Sequence, residues 1–123
     1  MYIAAAILSV LLAAVALAAG APKVVLKGST PAHLQSHMGL SAGLVRFIGL
    51  AEVSAAAGLI VGLFWQPLGI AAAVGFAVLL IGAIGFHAKV GDYADPKTRT
   101  QATTPIVLAS AAIAAAVTLA LAL

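Results

Sequence analysis

Long apolar runs and short polar breaks alternate along the chain, and this alternation predicts its elements. An uncharged apolar run over 2–20 gives way to a polar stretch at 21–40. A second run over 41–63 leads through Trp65-Gln66-Pro67 into a third at 68–89. A polar loop at 90–103 then precedes a fourth run at 104–123. Each run has roughly the 20 residues that a helix needs to cross hydrocarbon. The pattern predicts an all-α integral membrane protein: an antiparallel four-helix bundle, one domain over 1–123, with both termini on the same side. No basic residue precedes the first run, so the n-region of a signal peptide is missing and an uncleaved first helix is expected.

The breaks carry signals of their own. Trp65-Gln66-Pro67 reads as a tight turn with an interfacial aromatic anchor. Ser29-Thr30-Pro31 reads as a helix start, with Thr30 as cap and Pro31 at the first position. His33 and His37 follow at i, i+4 on one face of that short helix. Two histidines at this spacing can ligate a metal, but no third ligand lies nearby, so a solvated interfacial helix is expected and no metal site. Gly58-Leu-Ile-Val-Gly62 permits close helix packing, although in so Ala- and Gly-rich a chain it argues only weakly for a dimer.

Composition narrows the class. Hydrophobic residues make up 64% of the chain and charged ones 7%, with a mean hydropathy of +1.22, a balance that cannot cover a water-facing surface. With no cysteine there is no disulfide, thiolate nucleophile or iron–sulfur cluster. A net charge of +3 from so few charges makes nucleic acid a poor partner. All six Lys and Arg residues lie in or beside the loops at 21–40 and 90–103, so the positive-inside rule places those loops in the cytoplasm and both termini outside.

Candidate chemistry concentrates in the second span, where Arg46, Gly49 and Glu52 are spaced i, i+3, i+6. They occupy one broad sector of a helix, with Arg46 and Glu52 about 9 Å apart along the axis. An ionisable residue inside a membrane is a site candidate by default. Counting outward from the Gln66 turn places His87 at the depth of Arg46, so Arg46, Glu52 and His87 are expected to share a pocket entered from the cytoplasmic side. Two readings stay open. In one, Glu52 is an acid/base, Arg46 an anion-binding or orienting group and His87 a proton relay. In the other, Arg46 and Glu52 form a structural ion pair and His87 snorkels to the interface. No phosphate-binding loop, nucleophile elbow, HExxH motif or carboxylate dyad is present. Conduction would need polar lining on more helices, and alternating access would need a repeat.

Several segments resemble the DoxX-like membrane proteins: Arg-Phe-Ile-Gly-Leu-Ala-Glu-Val at 46–53, Ala-Ala-Gly-Leu at 56–59, and Gly-Ala-Ile-Gly-Phe-His-Ala-Lys-Val-Gly-Asp at 82–92. Ala-Pro-Lys at 21–23 is similar to the family pattern after its first helix. The resemblance implies a small bacterial inner-membrane protein. It also implies relatives that include a subunit of a thiosulfate:quinone oxidoreductase and a component of a complex linked to superoxide dismutase. It makes Arg46, Glu52 and His87 the main polar positions, with Lys23 and Asp92 as weaker pocket candidates.

Three functions follow as expectations. The first is an accessory or assembly subunit of a redox- or quinone-linked membrane complex, acting through a protein partner or a second copy. The second is a small enzyme acting on a lipophilic molecule, and the third a binder without chemistry in the same pocket. No cofactor is required by the sequence; a quinone or a lipid is compatible with it.

Overall fold

The computed structural model describes residues 1–122. Its elements are α1 (Tyr2–Val25), α2 (Ser29–Ser36), α3 (Ala42–Val61), α4 (Gln66–Lys89) and α5 (Arg99–Leu121). The described residues contain no strand. Four of the helices, α1, α3, α4 and α5, are long and apolar enough to span a bilayer. Around the bundle, α1 packs on α3, α3 on α4, α4 on α5, and α5 back on α1. Successive spans are antiparallel, so α1 begins at the end of the bundle where α5 finishes.

Two helices run longer than the hydropathy pattern suggests. α1 continues through Pro22 instead of stopping near residue 20. Its end is closed by Leu26 in the left-handed conformation, φ 54°, with Lys27 N–H donating to Pro22 O at 3.0 Å. That is the hydrogen-bond arrangement of a Schellman-type stop, here built without glycine. α5 starts at Arg99, ahead of the expected 104, because Asp95 organises the turn before it. The Asp95 carboxylate accepts from Lys97 N–H at 2.9 Å, and its carbonyl accepts from Arg99 N–H at 2.9 Å. Pro105 therefore lies inside the helix, beyond its first turn, and is buried.

The α2 start also departs from expectation. Gly28, at φ 94°, occupies the cap position, and Thr30 lies within the helix without capping it. α3, by contrast, has a side-chain cap: Ser41 Oγ accepts from Leu44 N–H at 3.1 Å.

The core is built mostly of alanines, with Phe76 and a few leucines among them. Leu12, Ala13 and Ala16 of α1, Ala55, Ala56 and Leu59 of α3, Ala73, Phe76 and Ala77 of α4 and Ala109, Ala112 and Ala115 of α5 belong to one buried cluster. In lipid no hydrophobic force presses helices together, and close van der Waals contact between small side chains takes its place. Two crossings depend on glycine. A Cβ on Gly49 would stand 2.7 Å from Gly20 O, and one on Gly62 would stand 2.1 Å from Gly69 Cα. Gly58 and Gly62 thus seat α4 within the chain: a Cβ on Gly58 would lie 2.8 Å from Ala72 Cβ.

Candidate functional site

Two polar centres form at the loop-bearing end of the bundle. The first joins α1 to α3. The buried positions of α3 are Val45, Gly49, Glu52, Ala55, Ala56 and Leu59, a stripe advancing by three and four residues. Glu52 belongs to that stripe and faces α1. Lys23, in the last turn of α1, lies across Gly49, where an added Cβ would come within 2.6 Å of Lys23 Cβ. Helical side chains lean toward the N-terminus of their helix, so the Lys23 stem points back into the bundle. Its Nζ donates to Glu52 Oε1 at 2.5 Å, with the two side chains 12% and 6% exposed.

The second centre is Asp92. After α4 the chain turns through Gly91, φ 78°, and Asp92 N–H donates to His87 O at 3.0 Å. The carboxylate swings under the helix end and is 2% exposed. Its Oδ1 lies 2.6 Å from His37 Nε2, and its Oδ2 lies 2.6 Å from His87 Nδ1. A carboxylate accepts only, so His37 donates through Nε2–H and His87 through Nδ1–H. His33 stacks on His37 with centroids 4.7 Å apart, and Tyr93 meets the edge of His87 at 6.3 Å. Burial pushes the Asp92 carboxyl up. The hydrogen bonds from His37 and His87, with the charge of His37, outweigh burial and hold it below the ordinary carboxylate range. Burial, helped by the charge of Asp92, pushes the Tyr93 hydroxyl up.

The expected trio does not assemble. Arg46 is exposed on the outer side of α3 and has no salt-bridge partner among the described residues. It follows Val45 directly, and one residue turns a helix by about 100°, which carries it off the buried stripe. Glu52 takes Lys23 as its partner, and His87 takes Asp92. The weaker pocket candidates, Lys23 and Asp92, are thus the groups that hold two of the three stronger ones, Glu52 and His87. Lys23 also does not leave the bundle with the loop, as the polar break at 21–40 suggested.

His37 is the residue that sequence reasoning missed. Its partner stands 55 residues away, and only the meeting of the residue that closes α2 with the loop after α4 reveals it. Among the described residues no three His, Cys, Asp or Glu side chains converge on a metal position.

The sequence model of the DoxX-like family matches residues 7–117, nearly the whole chain. The chain belongs to the DoxX-like family. Searches of the curated proteins and of the solved structures find no match. The match takes in Lys23, Glu52, His37, His87 and Asp92 alike, so both polar centres of this DoxX-like protein lie within its family region. Chemically, the first centre neutralises a carboxylate inside the bundle. The second holds one carboxylate between two proton donors at its mouth.

Proposed function

We propose that this DoxX-like protein is an accessory subunit of a bacterial inner-membrane complex, docked through the lipid-facing side of α4. The observation that carries this reading is a groove of missing side chains. Ala71, Gly75, Val78, Gly82 and Gly85 are all exposed and fall on one face of α4, opposite Ala73, Phe76 and Leu80. A Cβ on Gly75, Gly82 or Gly85 would meet nothing within 4 Å. The stripe runs about 21 Å along the helix, from Ala71 to Gly85. Exposed glycines weaken a helix by about 0.5–1 kcal/mol each relative to alanine, and a partner helix packed against them offsets that cost through close backbone approach.

The polar centres fit a supporting role in this reading. Lys23–Glu52 ties α1 to α3, and Asp92 ties α2 to α4, so the chain presents a fixed scaffold. The six Lys and Arg residues at the loop-bearing end support a cytoplasmic location for that end. The redox- or quinone-linked setting rests on the family resemblance.

The test is gentle extraction from native membranes, comparing wild type with Gly75→Leu and Gly82→Leu by native mass spectrometry. We expect each variant to keep the thermal stability of the isolated protein and to lose a protein subunit, or a second copy, retained by wild type. Identical associations in all three proteins would sink the proposal.

A further inference from the structure

A groove on α5 has no part in that reading. It runs down the outer face of α5, has a volume of 450 Å³, and is lined by Arg99, Thr100, Thr103, Thr104, Val107 and Leu108. Its chemistry changes in order along the helix: a guanidinium, then hydroxyls, then hydrocarbon. Arg99 and Val107 are about 12 Å apart along the axis. α5 has 23 residues and is about 35 Å long against a hydrocarbon core of about 30 Å, so its first turns stand at headgroup level.

The top of the groove is held in place. Arg99 Nε donates to Tyr93 O at 3.0 Å, and the Tyr93 hydroxyl donates to Ala102 O at 2.9 Å, fastening the loop to the first turn of α5. Arg99 is thus anchored at the loop end of the groove, where it lines the wall. The Thr103 hydroxyl donates to Arg99 O at 2.8 Å, so Thr100 and Thr104 supply the other hydroxyls of the wall. Lys97, two residues earlier, is exposed and outside the groove.

We propose that this groove binds one anionic phospholipid, its phosphate against Arg99 and Thr100 and an acyl chain along Val107 and Leu108. The argument is complementarity of charge and of order. Only an amphiphile with its anion at the interface and its chain pointing inward satisfies both ends at once, and guanidinium pairs well with a phosphate.

The test is native mass spectrometry of detergent-purified protein with added phosphatidylglycerol, beside phosphatidylcholine of the same chain length. Wild type is expected to retain phosphatidylglycerol preferentially. Arg99→Gln should lower that retention about fivefold, the effect of one basic side chain at a membrane surface. Arg99→Lys should keep part of it, and Val107→Trp, which fills the lower groove, should lower it with the charge intact. Circular dichroism and thermal melts identify any variant that fails to fold, and the other variant then carries the comparison. Equal retention of both lipids overturns the proposal, as does an equal loss in Lys97→Gln, which signals diffuse attraction. Displacement of the lipid by equimolar glycerol phosphate would mean a phosphate site without a chain, and overturns it as well.

Discussion

Lys23 and Glu52 meet at 2.5 Å where Gly20 and Gly49 bring α1 and α3 into backbone contact. Salt bridge and crossing depend on each other, because a wider helix separation pulls the ammonium from the carboxylate. Removing one partner leaves a charge buried and unpaired, at a cost of about 3–5 kcal/mol. Lys23→Met and Glu52→Gln should each lower the thermal midpoint in detergent markedly. The double variant Lys23→Met/Glu52→Met should recover most of the loss. If the double variant is as unstable as the sum of the singles, the pair does not act as a unit.

Glycine substitutions should divide sharply by position. A Cβ at Gly49 meets the backbone of Gly20 at 2.7 Å and of Val24 at 2.8 Å, and neither can swing aside. Gly49→Ala should destabilise by about 1–3 kcal/mol, the usual cost of overpacking, and Gly62→Ala at least as much. Gly75→Ala, which meets nothing within 4 Å, should be neutral or stabilising. The readout is the melting temperature of the three variants side by side.

Acid should leave the loop-bearing end closed longer than an ordinary carboxylate allows. The Asp92 carboxyl is held below its usual 3.8. A depressed native value gives stability that is fully present above the unfolded value and is lost as pH falls through the native one. Hydrogen exchange of residues 90–98 should therefore stay slow as pH falls to the ordinary carboxylate range, and speed up only below it. Asp92→Asn should remove this acid step and loosen the loop at neutral pH. An unchanged exchange profile in Asp92→Asn would show that the two histidines do not hold the loop through this carboxylate.

How far the sequence could be read is clearest at α3. The number and order of the spans followed from hydropathy, because length and charge exclusion decide what crosses a bilayer. The placement of Arg46 and Glu52 did not, because an i, i+3, i+6 spacing covers about 120° of a helix, wide enough to hold one lipid-facing and one buried residue. Following Val45, Gly49, Glu52, Ala56 and Leu59 as a seven-residue repeat separates the two, since Glu52 falls on that repeat and Arg46 does not. Lys23 was hidden for another reason. A polar break suggests that the helix has ended, whereas α1 continues past Lys23 to Val25. The His37–Asp92 contact left no local trace at all.

Arg46 itself gives a direct test. Exposed and without an ion-pair partner among the described residues, it should tolerate Arg46→Gln with no loss of stability beyond about 0.5 kcal/mol, the scale of ordinary surface substitutions, read from the thermal melt. Stability that falls as far as in Glu52→Gln would place Arg46 back inside the polar centre.

From Val53 to Phe86 the chain carries no charged side chain, and this bears on how the protein enters its membrane. The turn between α3 and α4 brings across only amides and the Trp65 ring, and the Gln66 amide later finds Leu119 O at the end of α5. The hairpin between Arg46 and Lys89 can therefore enter a bilayer as one unit. Glu52 is the one acidic side chain within these two helices, and its neutralising partner, Lys23, comes from α1.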